Sequence, residues 1–292
     1  MDDATQTFHR HRPRLLGIAY RMLGTRAEAE EVVQDAWLRW HDAAPDVLDS
    51  AEAWLVTVTT RLAIDRLRAA KVAREHYVGL WLPEPVLTDT EESPETALER
   101  VGELSIAFLA VLERLSPEAR AAFLLREIFD TDYDEVARIL GKTEAACRQL
   151  VHRARSHVQA GRPRFAAPPE AQRRLLESFA AAAAQGNIAQ LTALLAEDAE
   201  LIGDGGGKVA SIDKVLVGAH RLANLYHAVW RRNAATMRIQ PAEINGEPGL
   251  LRFFDGVLES VQSFEIADGR IVRIHTQRNP DKLARIVRAL GA

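Results

Sequence analysis

Two proline-bearing breaks do more than any other feature to limit what this chain can become. The stretch "YVGLWLPEPVLTDTEESPE", residues 77–95, carries Pro83, Pro85 and Pro94 and ends in an acidic run. The stretch "GRPRFAAPP", residues 161–169, carries Pro163, Pro168 and Pro169. A proline fixes φ and removes a backbone donor, so neither stretch continues a helix or takes an interior place in a sheet. The pieces on either side therefore fold as separate units. Residues 8–74 and 96–157 keep a helical period throughout. After Gln172 the texture changes: helical stretches at 173–184, 188–195 and 219–231 are followed by β-rich segments at 236–244, 250–254, 257–266 and 271–276. Between those segments "NGEPG", "DG" and "ADG" supply turn and hairpin chemistry.

This order predicts a multidomain chain of two all-α helical domains joined by a linker, followed by an α+β domain. The antiparallel meander of that last domain is expected to curl around one helix into a cone with a pocket. Expected boundaries are 5–76 and 105–160 for the helical domains, 77–104 and 161–172 for the linkers, and 173–292 for the cone.

Composition narrows the function. No apolar run approaches the roughly 20 residues that a membrane helix needs. The amino end carries His9, Arg10, His11, Arg12, Arg14, Arg21 and Arg26 among short apolar groups, unlike a signal peptide. Cys147 is the single cysteine, which excludes an intrachain disulfide and a cysteine-based zinc site. The expectation is a cytoplasmic protein with no membrane contact, no metal and no cofactor. A net charge of −4 argues against binding nucleic acid through bulk charge, but local charge points the other way. Arg61, Arg66, Arg68, Lys71 and Arg74 face only Asp65, and Arg138, Lys142, Arg148, Arg153 and Arg155 face only Glu144. Glu28, Glu30, Glu31 and Asp35 reverse the sign on another helix, so the pattern predicts DNA at two places and a basic protein at a third.

The sequence "YDEVARILGKTEAACRQLVHRAR", residues 133–155, carries the strongest local mechanism. Val136, Ala137 and Leu140 form a short apolar stripe, Gly141 supplies a turn, and Thr143 can cap a second helix. On that helix Cys147, Leu150, Val151 and Ala154 share the core side, which makes Cys147 a packing residue. Glu144, Ala145, Arg148, Gln149, His152 and Arg155 are left on the other face. Long donors on a protruding helix suit the major groove, where arginine pairs with guanine and glutamine with adenine. On this stretch alone the alternative is the solvated face of an ordinary helical hairpin.

Toward the amino end, "EAEEVVQDAWLRW", residues 28–40, places Glu28, Glu31 and Asp35 on one side and Val33, Ala36, Trp37 and Trp40 on the other. Taken alone, the acidic side reads first as a solvated face. The loop at 41–50 follows. In "AEAWLVTVTTRLAIDRLR", residues 51–68, Trp54, Leu55, Val58 and Leu62 are the expected core stripe, leaving Arg61, Arg66 and Arg68 for phosphates.

Together these residues resemble the extracytoplasmic-function sigma factors of bacterial RNA polymerase. "AEEVVQDAWLRW" is similar to the helix that grips the polymerase clamp, "AWLVTVTTRLAIDRLR" to the helix that opens and reads the minus-10 element, and residues 133–155 to the minus-35 reader. The resemblance implies that Glu28, Glu31 and Asp35 meet the polymerase core, with its β and β′ subunits. It implies that His41, Arg61, Asp65 and Arg68 meet the minus-10 DNA, with the loop at 41–50 taking a flipped-out base. Thr143, Glu144, Arg148, Gln149, His152 and Arg155 would meet the minus-35 promoter DNA.

The domain after Gln172 resembles the SnoaL-like fold of polyketide cyclases, ketosteroid isomerases and non-catalytic sensors, and fold does not settle function. Such isomerases use a carboxylate base and an acid–phenol pair in an apolar pocket. Asp204, Asp255, Glu265 and Tyr226 are the available groups, but their spacing marks no constellation, so no catalytic residue is assigned. The pocket is left empty or open to a small-molecule ligand.

The triple glycine of "DGGGKV", residues 204–209, is not a nucleotide-binding loop, because the glycine spacing is short and no hydroxyl follows the lysine. With "WLPEP" at 81–85 and "NPDKL" at 279–283 it resembles the marks of sigma factors that carry a SnoaL-like extension, the SigJ type, thought to be regulated in cis by that extension. The resemblance implies regulatory roles for Trp81, Pro83, Asp204, Gly205, Gly206, Gly207, Asn279, Pro280 and Asp281. Each motif also has a plain reading: a stiff spacer, a turn with positive φ, and a helix start with Asn279 as N-cap and Pro280 at its first position. Their co-occurrence makes DGGGKV a docking surface or pocket rim that contacts the linker or the DNA-binding domains. Two other functions compete: a one-component DNA-binding regulator with a ligand domain, which leaves residues 28–68 unexplained, and a DNA-tethered isomerase or cyclase, which lacks an acid–base set.

Overall fold

The computed structural model describes residues 3–43, 50–74, 77–88, 104–160 and 168–291. The chain forms two compact units. One comprises Met1–His76, Glu91–Leu104 and Phe108–Gly161, and the other Tyr77–Thr90, Ser105–Ala107 and Arg162–Ala292. The WLPEP part of the first linker thus counts with the carboxy-terminal unit.

In the first unit, α1 (Asp3–Leu23), α2 (Arg26–Asp42) and α3 (Ala51–Arg74) pack around Leu15, Ile18, Ala19, Val33, Ala36, Trp40 and Leu55, all fully buried. Trp40 satisfies its indole by donating to the Ala4 carbonyl at 3.0 Å, as a buried indole must. The expected α3 stripe is corrected. Leu55, Val56, Thr59, Thr60, Ala63, Ile64 and Leu67 are the buried residues, while Trp54, Val58 and Leu62 are half-buried. The physical reason is a second partner: α3 is packed by α1 and α2 and also by the helices that follow the linker, so its buried face is wider than one stripe.

Those later helices are α4 (Ile106–Leu112), α5 (Pro117–Phe123), a π-helical turn at Leu124–Ile128, α6 (Tyr133–Leu140) and α7 (Glu144–Ala160). The helical reading at 96–103 lies outside the described residues. Buried Arg120 on α5 reaches the Met22 carbonyl at 2.5 Å and Glu113 at 2.6 Å, tying α5 to the end of α1. Between α6 and α7, Gly141 takes the left-handed conformation (φ 61) that ends the first helix, and the Thr143 hydroxyl accepts from the Ala146 N–H at 3.2 Å to begin the second. Val136, Ala137 and Ile139 are buried beneath the turn, with Leu140 half-buried, and Cys147, Val151, Ala154 and Val158 form the inner face of α7.

The second unit is α+β. Helices α8 (Pro169–Ala184), α9 (Ile188–Leu194) and α10 (Ala219–Asn233) lie against one face of a six-stranded sheet, and α11 (Pro280–Ala289) against the other. The strands are β1 (Leu195–Asp204), β2 (Leu216–Val217), β3 (Arg238–Ile244), β4 (Glu247–Phe254), β5 (Val257–Ala267) and β6 (Arg270–Gln277), ordered β2-β1-β6-β5-β4-β3. The expected antiparallel meander is β3-β4-β5-β6 in chain order, and β1 extends the sheet beyond it by running parallel to β6. Its opening "LAEDAE" reads as helix end and surface, yet its long parallel partner β6 lies about seventy residues away, beyond any local signal. Leu250, Phe264 and Ile274 face the three helices, while Leu251, Phe253 and Val261 pack on Leu283 and Ile286 of α11.

Candidate functional site

In the first unit the predicted polymerase-binding acids do not form one uniform row. Glu28 accepts from the Thr25 hydroxyl at 2.6 Å and serves the start of α2. Glu31 and Asp35, one turn apart, both reach Arg66 of α3, at 2.7 and 3.6 Å. Leu38, farther along α2, is 54% exposed and carries an apolar group into solvent. Of the predicted minus-10 residues, His41 is exposed with its ring 5.8 Å from that of Trp37, and the rest of its loop at 44–49 lies outside the described residues. Arg61 donates from Nε to the Ile139 carbonyl at 2.9 Å and from Nη2 to that of Arg138 at 3.0 Å, so a cation caps the carboxyl end of α6. Arg68 bonds exposed Asp65 at 3.2 Å and Glu118 of α5 at 2.5 Å, holding the Glu118 carboxyl below its usual range.

On α7 the predicted minus-35 residues divide by what they touch. Thr143 caps the helix, and Arg155 clasps Glu127 with two bonds of 3.1 and 2.7 Å. Glu144, Arg148, Gln149 and His152 stand exposed in a row. Arg148 is held over the Tyr133 ring at 4.2 Å and paired with Glu144 at 3.1 Å, which orders its long side chain while leaving its remaining donors outward.

The second unit brings the three short motifs to one buried point. Asp204, fully buried at the end of β1, accepts from the Tyr77 hydroxyl at 2.6 Å, the Leu82 N–H at 2.9 Å and the Lys282 ammonium at 2.7 Å. Lys282 also donates to the Leu82 carbonyl at 2.6 Å and lies 4.1 Å from the Trp81 ring centre. Gln277 donates to the carbonyls of Leu82 and Pro83 at 3.3 and 3.2 Å, and Asn279 donates to the Tyr77 hydroxyl at 3.1 Å while its own carbonyl caps α11 through Asp281 N–H. Pro280 occupies the first turn of α11. Burial first, and then the bond to Asp204, pushes the Tyr77 phenol up. The glycines let the loop close over this point. Gly206 has φ 62, and a Cβ there would collide with the Asn279 side chain. Gly205 presses on the Val209 carbonyl, Gly207 faces Val78, and Lys208 pairs with Asp281 at the surface. Beyond Pro83, the linker continues through a Glu84–Arg285 pair at 3.5 Å and a bridge from Leu87 to Ile244.

Tyr77, Gln277 and Lys282 are the members that sequence reasoning missed. The available signal was the opposite charge of Asp204 and Lys282 in two otherwise uncharacterised motifs. The candidate isomerase groups do not converge. Asp204 is spent on the linker, Asp255 sits in the β4–β5 turn at φ 50, and Glu265 pairs with Arg273 at 2.9 Å. Tyr226 bonds Gln262 at 3.2 Å on the sheet face turned toward the helices, its phenol pushed up to about 12 by burial.

Sigma-70 region 2 matches residues 7–72, and Sigma-70, region 4 matches residues 105–158. The chain is 36% identical over 286 residues to the ECF RNA polymerase sigma factor SigJ of Mycobacterium tuberculosis (strain ATCC 25618 / H37Rv), covering 94% of this chain and 91% of that one. This chain belongs to the extracytoplasmic-function sigma factors. The sigma factor is also 31% identical to the probable ECF RNA polymerase sigma factor SigI of the same organism, over 99% of this chain and 98% of that one. The crystal structure of M. tuberculosis SigJ superimposes with a TM-score of 0.79 at 33% identity, covering 96% of this sigma factor and 98% of that chain. The matched length takes in the SnoaL-like unit as well as the helical one. A sigma factor is a transcription initiation factor, not an enzyme, which sets aside both the tethered isomerase and the one-component regulator.

Proposed function

We propose that this alternative sigma factor, which directs RNA polymerase to promoters, is regulated in cis by its SnoaL-like unit acting through the linker. The observation that carries the reading is the Asp204–Lys282 pair, buried to 0% and 7% exposure, which grips the backbone of Leu82 between the two DNA-binding regions. A linker held at residues 77–88 leaves less chain free to span from region 2 to region 4, so docking biases which separations those regions adopt. The reading is also supported by Arg61 and Arg68, spent on α6 carbonyls and on Glu118. Both have to be released before they meet the minus-10 strand, and surface contacts screened by solvent are readily exchanged.

In this reading Glu31 and Asp35 with neighbouring Glu28 meet the core polymerase, His41, Arg61, Asp65 and Arg68 meet minus-10 DNA, and Glu144, Arg148, Gln149 and His152 meet the minus-35 duplex, with Thr143 and Arg155 holding the helix that presents them. A cytoplasmic location follows from working with core polymerase. The test is transcription by purified core polymerase with the parent chain or with Asp204→Asn/Lys282→Met, which removes the Lys282 bond to the Leu82 carbonyl and weakens the hold on Leu82 without stranding a charge. Output from a cognate promoter should rise with promoter preference unchanged. Output equal to the parent's from every promoter would overturn regulation through the linker.

A further inference from the structure

The helix-facing side of the sheet holds a cavity of about 330 Å³ between β1, β4, β5, β6 and α10, quite apart from the linker network. Its walls are apolar, with Leu201, Ile212, Leu225, Val229 and Phe254. Its charges are unbalanced: Arg232, Arg252 and Arg278 line it against the single carboxylate of Glu259. Glu259 is shared, 2.8 Å from Arg252 and 2.5 Å from Arg278. Burial works against its ionisation, but the two guanidiniums outweigh that and hold it below the usual carboxylate range. One carboxylate between two guanidiniums leaves positive charge and unused donors facing the cavity.

Hydroxyls on the lining are also idle. Among the described residues, the Oγ1 of Thr276, a residue 4% exposed, has no hydrogen-bond partner, and neither do Ser211 Oγ and Arg278 Nε. A buried hydroxyl without a partner costs free energy that a bound acceptor would recover.

We propose that this cavity is a binding site for a small amphipathic organic acid, a single carboxylate on an apolar body. The carboxylate takes the spare guanidinium donors and the Thr276 hydroxyl, and the apolar body lies along Leu225, Val229 and Phe254. Strand alternation gives such a ligand a route to the linker, because successive residues point to opposite faces. On β1, Gly203 lines the cavity and Asp204, the next residue, holds Leu82. Near the end of β6, Thr276 lines it, Gln277 donates to Leu82 and Pro83, and Arg278, just past the strand, lines it again. Arg278 also donates its N–H to the Asp204 carbonyl at 2.7 Å and its guanidinium to Ala210, just beyond the DGGGKV loop. A ligand that draws on Arg278 therefore pulls on the backbone that positions Asp204. This coupling rests on the cis-regulatory reading above, whereas the binding claim stands on the cavity alone.

Isothermal titration of the full chain with octanoate, 1-octanol and inorganic phosphate tests the site. Octanoate should bind once per chain, with octanol about tenfold weaker for lack of a charge-assisted bond, and phosphate weaker still for lack of an apolar body. Val229→Trp, which fills the cavity from a half-buried helix position, should weaken octanoate at least tenfold, and Thr276→Val, nearly the same shape, should weaken it without lowering the thermal midpoint. No octanoate binding, equal binding of octanol or phosphate, or parent-like octanoate affinity in whichever of the two variants folds would overturn the site. Coupling has its own readout in hydrogen exchange at the amides of Leu82 and Val86, which donate to Asp204 and Asn245. Saturating octanoate should change their protection several-fold. Unchanged protection with octanoate bound would overturn the coupling and leave the site standing, and regulation through the linker fails separately if Asp204→Asn/Lys282→Met transcribes like the parent.

Discussion

Single residues decide whether the linker stays docked. Lys282→Met leaves the Asp204 carboxylate buried without its cation, and breaking a buried pair from one side costs about 3–5 kcal/mol. Asp204→Asn/Lys282→Met removes both charges and should restore most of that loss, so thermal midpoints of parent, single and double variants should fall in the order parent, double, single. A single variant as stable as the parent would show that the pair does not hold the unit together. A second residue sets an acid limit. His275 on β6 is fully buried, and burial, with the Arg273 charge adding to it, lowers its pKa from 6.5 to about 3. The folded state therefore binds fewer protons than the unfolded chain. That contribution to stability is complete above pH 6.5 and is lost as pH falls from there toward about 3. His275→Gln should flatten the fall in thermal midpoint across that window, and an unchanged slope would exclude His275 as its source.

At the scale of elements, α7 was legible because its determinants are local. Gly141 and Thr143 act within one turn of their own positions, and the spacing of Cys147, Val151 and Ala154 alone divides inner from outer face. Arg148→Ala or Gln149→Ala should weaken minus-35 binding by about 1–3 kcal/mol where a bidentate base contact is lost, with core binding intact. Equal loss on every minus-35 sequence in a binding titration would assign these side chains to phosphate. Arg155→Ala should act differently, since that guanidinium already holds Glu127. Its loss should lower the melting temperature slightly and cost affinity evenly across sequences. The place of β1 in the sheet was not legible, because its charged opening resembles surface and its long parallel partner β6 lies about seventy residues further along the chain.

Across the whole molecule, the SnoaL-like unit is covalently joined to the regions it is proposed to control, so its effective concentration is of millimolar order and a weak contact suffices. A tenfold change in output requires only about 1.4 kcal/mol of differential contact. Removing the chain from Asn279 onward is a poor probe of this, because α11 supplies Leu283 and Ile286 to the sheet's second core and its loss would expose that core. Point changes at Asp204 and Lys282 avoid the difficulty. Asp35→Arg tests the other partner: it places a second cation beside Arg66 and should reduce core-polymerase affinity while the far-ultraviolet spectrum stays normal. Undiminished affinity would return this face of α2 to simple solvation. By itself the sequence determined most of the helices, the four strands of the meander in their order, the capped turn between α6 and α7 and the start of α11 at Asn279, all of which depend on neighbours within a few positions. Only the tertiary structure decided that Asp204 meets Lys282 and that both meet Leu82. Those contacts join residues 78, 122 and 200 positions apart, and such pairings are selected by burial and charge compensation in the folded chain, which leave no periodic trace along it.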